Sequence, residues 1–310
     1  MQKRTLIPLE TLRPRYWPTW LGLGLLFLSI HLPWRWQSSL GHGIGKLMYR
    51  VAGKRRRIAD INLRLCFPEL NDDKREQLLR KNFKYVGLAV METGLSWWGN
   101  PTHLPKLGQI TGMQHLEKAL QRGKGVILLT GHMTSTDLGG KILGVALMDT
   151  DHPIQVMYKP AHNVLINAMM VRGRELQARR LFKHRDIRSF IRGLQENLPS
   201  WYAPDQDFGL KQGVFADFFG VPTATLTATA RIAAKTGAAV VPYFPIRLEG
   251  DRGFEIRILP EWKDYPSGDE VTDARRVNAV IEEVVREFPD QYLWMHRRFK
   301  TRPEGLPPVY

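Results

Sequence analysis

GKGVILLTGHMTSTDLGG, Gly123 to Gly140, decides the fold class. Its first half holds VILLT, Val126 to Thr130, an apolar run of strand length that opens after a glycine; from about Thr134 the residues suit a helix. Between the two lies His132, with Asp137 five positions on. On one continuous helix that spacing sets the side chains roughly 140° apart, so the pair meets only if the histidine precedes the helix and the chain bends. Two readings follow. In one, a neutral imidazole takes a proton from a hydroxyl while the carboxylate orients it. In the other, Thr134-x-x-Asp137 is a capping box that opens the helix.

Working outward, IQVMY (Ile154 to Tyr158), SWYAP (Ser200 to Pro204), AAVVPYF (Ala238 to Phe244) and FEIRIL (Phe254 to Leu259) also read as strands. Helical patterning falls between them, at Met113 to Arg122, Asn163 to Leu176, Asp186 to Asn197 and Thr225 to Lys235. This alternation predicts an α/β fold with a largely parallel sheet covered by helices on both faces. Ligands gather at the carboxyl ends of strands in such sheets, and His132 follows one such end. No internal repeat or low-complexity linker is present.

Before Leu107 the chain reads as helix: QSSLGHGIGKLMYRVAG (37–53), RRRIADINLRLCF (55–67) and NDDKREQLLRKNFKYVGLAVMETGLSWW (71–98), the last with Asn71 and Asp72 as cap candidates. Further back, YWPTWLGLGLLFLSIHLPW, Tyr16 to Trp34, has no formal charge, and Trp17, Trp20, Trp34 and Trp36 crowd its ends. That pattern predicts a membrane helix, spanning or lying in the interface, since Pro18 and Pro33 shorten it. Lys3, Arg4, Arg13 and Arg15 precede the run; the heavier group, Arg35, Lys46, Arg50 and Lys54 to Arg57, follows it and favours a cytoplasmic position for the bulk of the chain. The expected organisation is an anchor at 1–36, a helical region at 37–106 and an α/β domain at 107–310, the last two forming one compact unit.

Across 310 residues, 45 Lys and Arg against 30 Asp and Glu leave a formal charge of +15, which points to acidic partners. Nucleic acid is disfavoured because no helix-turn-helix, RNP-type strand or zinc finger accompanies the charge. Only Cys66 is present; this excludes an internal disulfide, and its apolar surroundings suggest packing. GxSxG, P-loop, Rossmann and HExxH patterns are absent, so neither a serine-elbow hydrolase nor a metal is indicated.

GHMTSTD, Gly131 to Asp137, resembles the H-x4-D/E motif of the glycerolipid acyltransferase superfamily. NLRLCFPEL (62–70), MYKPAHNVLINAMMVRGR (157–174), WYAPDQDFG (201–209), VFADFFGVPTAT (214–225) and QYLWMHRRFKTRPEG (291–305) are similar, in order, to one branch of it, the late acyltransferases of lipid A biosynthesis. The resemblance implies an enzyme of the bacterial inner membrane with its catalytic domain facing the cytoplasm. It further implies transfer of a lauroyl- or myristoyl-type chain from acyl-carrier protein to a hydroxyl of a 3-hydroxyacyl chain on a Kdo-bearing lipid A precursor, without cofactor. The family's base and acid fall on His132 and Asp137. Lys159 stands where relatives often have arginine, keeping the charge but losing the bidentate fork.

Lys159, Arg172 and Arg174 are candidates for lipid phosphates, Kdo carboxylates or a developing oxyanion, or form a solvated helix face. Asp205 and Asp207 could bind sugar hydroxyls or pair with those arginines. Phe215, Phe218 and Phe219 could line an acyl groove or be core. His296, Arg297 and Arg298 either touch the membrane surface or the phosphates, or are structural. Competing functions are another phospholipid or glycolipid acyltransferase, a thioesterase using the same base on water, and a basic membrane-binding module.

Overall fold

A computed structural model describes residues 5–250 and 252–310. Lys3 and Arg4, two of the basic residues expected before the apolar run, lie outside the described residues. In chain order the elements are α1 (Trp17–Ser29), α2 (Trp34–Val51), α3 (Gly53–Cys66), α4 (Asp72–Trp98), β1 (Gly108–Thr111), α5 (Met113–Leu120), β2 (Val126–Leu129), α6 (Thr136–Leu147), β3 (Gln155–Tyr158), α7 (Val164–Arg174), β4 (Arg180–Lys183), α8 (Ile187–Gln195), β5 (Pro199–Tyr202), β6 (Gly213–Phe218), β7 (Val221–Leu226), α9 (Ala228–Thr236), β8 (Ala239–Arg247), β9 (Phe254–Ile258) and α10 (Glu270–Glu287).

The described residues form a seven-stranded sheet in the order β1-β9-β8-β2-β5-β3-β4. β8, β2, β5, β3 and β4 run parallel to one another; β9 pairs antiparallel with β8, and β1 lies parallel to β9. All four residues of β2 and all nine of β8 are buried, as strands covered on both faces must be. Ile127 and Leu129 point into one apolar layer, with Phe190 of α8, Ile232 of α9 and Val277 and Ile281 of α10. Val126 and Leu128 point into the other, with Leu116 of α5, Ile142 of α6 and Leu95 of α4. The fold is therefore mixed α/β with a mostly parallel sheet flanked by helices.

Proline is unusual in a central strand because it cannot donate to the ladder, yet β8 contains Pro242 and Pro245. Pairing with β2 stops at Leu129↔Pro242, so Pro245 lies beyond the neighbour that would need its N–H. The turn after β2 fills that space, and Ser135 Oγ donates to the Pro245 carbonyl at 2.7 Å.

Asn71 caps α4, its Oδ1 accepting from the Lys74 N–H at 2.9 Å. α2 lies close across α4: a methyl group on Gly87 would run into the backbone of Gly41 and Gly45, so glycine permits the contact. Cys66 is buried in the core, and burial pushes its thiol well above the ordinary range, as a packing role requires.

Several expectations need correction. The uncharged run does not make a spanning helix: α1 has 13 residues, about 20 Å of helix against a hydrocarbon core of about 30 Å, and Pro33 opens a separate amphipathic helix that carries charge. Among the described residues, no helix is long and apolar enough to cross a membrane. α1 instead packs on α4 and α7, where Tyr16 and Leu23 meet Trp97 and Leu165, while Leu21, Leu25 and Leu28 face outward. The helix expected from Thr225 starts at Ala228, because Val221–Leu226 pairs with Gly213–Phe218 as a hairpin. Its two-residue loop, Phe219 and Gly220, has φ of 54° and 72°, the left-handed values such a tight turn demands.

Candidate active site

The chain leaves β2 at Leu129 and is pinned at once. Thr130 N–H donates to the Tyr202 carbonyl at 3.0 Å, Thr134 N–H to Gln291 at 2.7 Å, and Leu293 N–H to His132 at 2.9 Å. This turn places His132 at the carboxyl edge of the sheet, between the end of β5 and the segment 291–293.

Asp205 meets it there. Its Oδ1 lies 2.5 Å from His132 Nδ1, and its Oδ2 accepts the His132 backbone N–H and the Tyr292 hydroxyl, both at 2.8 Å. Asp205 is 2 % exposed. Burial opposes its ionisation, but the imidazole and these donors outweigh that and hold the carboxyl well below its usual range. An ionised carboxylate can only accept, so Nδ1 carries the hydrogen and Nε2 keeps its lone pair. Burial likewise pulls the His132 pKa down; Asp205, by charge and hydrogen bond, and then Asp137, by charge alone, more than offset this, and the net shift is upward. The imidazole stands edge-on to Trp201 and remains partly exposed. A base with a fixed tautomer, a buried counter-charge and one open nitrogen can move a proton.

Asp137 is placed otherwise than the sequence spacing suggested. It does not hydrogen-bond to His132; it pairs with Arg174 at the end of α7. Nor does it cap α6. That helix starts at Thr136 after Ser135, with no side-chain cap, and Thr134 Oγ1 instead accepts from Arg247 Nη1 at 3.2 Å. Arg247 in turn makes two 2.7 Å bonds to Glu92, a buried pair that ties α4 to the motif turn.

The remaining candidates separate. Asp205 and Asp207 do not pair with Arg172 or Arg174. Asp207, also buried, holds the C-terminal segment: Oδ2 accepts the Thr301 N–H at 2.8 Å and Oδ1 the Thr301 hydroxyl at 2.9 Å. Both carboxylates are buried and already accept hydrogen bonds from within the protein. Lys159 is exposed beyond β3 and Arg172 half-buried on α7, neither in an ion pair among the described residues. Phe218 and Phe219 are core. Arg298 is buried on the Ala224 carbonyl and Asn278; His296 is half-buried, its Nε2 accepts the Asp207 N–H at 3.3 Å, and burial pushes its imidazole down to about 4. Among the described residues no group of three or more His, Cys, Asp or Glu could hold a metal ion.

Sequence reasoning assigned no role to Tyr292, Glu92 and Arg247. Tyr292 lies in the motif QYLWMHRRFKTRPEG, but nothing local links its hydroxyl to Asp205. An acid inside the apolar run GLAVMETGL and an arginine ending a buried strand were the available signs of the other two.

The fold and this site define a class: an α/β protein with a histidine held by a buried carboxylate at the carboxyl edge of a parallel sheet. Residues 8–301 match the family described as bacterial lipid A biosynthesis acyltransferase. The chain is 36 % identical over 300 residues to the lipid A biosynthesis lauroyltransferase of Escherichia coli K12, covering 96 % of each. It is 35 % identical over 302 residues to the palmitoleoyltransferase of that organism, covering 97 % of each. With its myristoyltransferase the figure is 29 % over 294 residues, 94 % of this chain and 90 % of the relative. The chain belongs to the bacterial lipid A biosynthesis acyltransferase family, and it is an acyltransferase.

Proposed function

We propose that this enzyme moves a fatty acyl chain from an acyl-carrier-protein thioester to a hydroxyl of a 3-hydroxyacyl chain on a Kdo-bearing lipid A precursor. The observation behind the mechanism is the His132–Asp205 pair, which leaves Nε2 open. Nε2 takes the proton of the acceptor hydroxyl, and the oxygen attacks the thioester carbonyl. The tetrahedral adduct collapses, the carbon–sulfur bond breaks, and the departing thiolate takes the proton back from the imidazolium, leaving the enzyme unchanged. Asp137 holds Arg174 at the edge of the site, where with Arg172 and Lys159 it offers positive charge to acceptor phosphates or carboxylates. Asp205 acts through His132, and Asp207 supports the segment that carries Tyr292.

In the same reading the enzyme works on the cytoplasmic side of the bacterial inner membrane. The outward face of α1, with the exposed Arg13 and Arg35 beside it, lies in the interface. Incubating the purified protein with acyl-carrier thioester, with and without acceptor lipid, tests the activity. We expect ester product that requires acceptor, and loss of it in His132→Ala. Free fatty acid as the main product with acceptor present would make the enzyme a thioesterase and overturn the reading.

A further inference from the structure

The strands β2, β5, β3 and β4 are parallel, so their carboxyl ends share one edge of the sheet. His132 follows β2, and the start of α8 follows β4, three strand spacings or about 14 Å along that edge. The chain there is unusually basic. Lys183, Arg185, Arg188 and Arg192 are exposed, and none is in an ion pair among the described residues. α8 itself carries no acidic residue; Asp186 before it caps the helix, its Oδ1 accepting the Ser189 N–H at 3.1 Å, and its single charge, shared with Arg188 and Arg192, leaves the surface with a positive excess. α9, packed against α8, adds exposed Arg231 and Lys235 and again no acid. Ile187, 39 % exposed, sits among these charges as an apolar contact.

We propose that this surface of α8 and α9 docks an acidic protein that presents the acyl thioester to His132. The inference rests on the carrier-protein donor proposed above and names where it binds. Anionic lipid could also answer to positive charge, but the geometry favours a soluble partner. α1, with its outward leucines, packs on α4 and α7, and α7 meets α6 on the sheet face opposite to α8 and α9. A membrane reached by α1 therefore lies away from the α8–α9 surface. A thioester on an extended arm spans the interval along the sheet edge while its protein stays on the basic helices. Donor and acceptor then approach His132 from different sides, so both can be bound at once for direct transfer.

Charge reversal tests the assignment. The full-length variant Lys183→Glu/Arg185→Glu/Arg188→Glu and the milder Arg185→Gln/Arg188→Gln are compared with the parent. The same acyl chain is supplied either on acyl-carrier protein or on pantetheine alone. The expected result is a KM for the carrier-borne donor raised at least tenfold in the first variant and several-fold in the second, with kcat/KM for the pantetheine thioester within twofold of the parent. The parent's carrier KM should rise with salt, and the reversed variant should lose that dependence. An unchanged carrier KM overturns the surface, as does an equal loss with both donors. Lost binding to phosphatidylglycerol vesicles with carrier KM intact would assign the surface to lipid instead. A parent that uses pantetheine but never the carrier-borne chain would fail the donor reading itself, and the surface with it.

Discussion

His132 takes its carboxylate from a residue 73 positions away, although a nearer acid stood five positions on. The difference is measurable. Its raised pKa means the neutral base is lost on acidification, so kcat/KM should climb with pH through an apparent pKa above 6.5, the ordinary histidine value. Asp205→Asn removes the main upward influence: the acid limb should move to lower pH, and kcat should fall by on the order of 10² or more because the tautomer is no longer held. Asp137→Asn should move the limb less and cost less activity, its influence on the imidazole being charge alone. A pH–rate profile of the three proteins decides this; a larger loss in Asp137→Asn with the limb unmoved would return the orienting role to Asp137. Lys141 of α6 poses a second residue-scale question. It is fully buried, its Nζ has no hydrogen-bond partner among the described residues, and burial pushes its pKa down to about 8. The unfolded chain, with an ordinary lysine near pH ~10.4, binds more protons between those values, so stability should rise from about pH 8 to 10 and be lower below 8. Lys141→Met should raise stability at pH 7 by roughly 1–3 kcal/mol and flatten that slope. Melting temperatures of both proteins at pH 7 and 9.5 check it.

Among the elements, α1 differs most from the sequence reading. Nineteen uncharged residues suggested a span, but prolines leave 13 helical residues whose inner side is used by α4 and α7. In the proposed interfacial placement, a helix held sideways against the protein offers its outer leucines to the membrane, each worth ~2 kcal/mol when buried. Leu21→Ser/Leu25→Ser/Leu28→Ser should therefore release the enzyme from sedimented membranes into a high-salt wash. Retention until detergent is added would mean an attachment independent of α1. The strands that sequence reading located, β2, β3, β5, β8 and β9, are apolar runs in the body of the sheet. β1 (GQIT) and β4 (RLFK) are four-residue edge strands, largely half-exposed, with too little apolar pattern to stand out. The β6–β7 hairpin was hidden because Asp217 and the turn at Phe219 and Gly220 break its alternation. α10 was passed over, although its Asp269 cap was legible.

At the scale of the whole molecule, buried polar contacts between distant segments hold the turn after β2. Asn82 of α4 donates to the carbonyls of Asp290 and Tyr292, and Gln291 is bonded to both the N–H and the carbonyl of Arg247. These fix the segment that brings Tyr292 to Asp205. Local periodicity was enough to define an α/β sheet, a basic chain with an apolar N-terminal face, and a histidine at the carboxyl end of a strand, because each is a property of neighbouring residues. The motif order was likewise legible, since it lies along the chain. Which acid holds the histidine, whether Asp137 caps or pairs, and where the charge of α8 lies relative to the site were decided only by the tertiary structure. Spacing along the chain constrains contacts within one element; contacts between Asp205 and His132, or Arg174 and Asp137, depend on how separate elements pack.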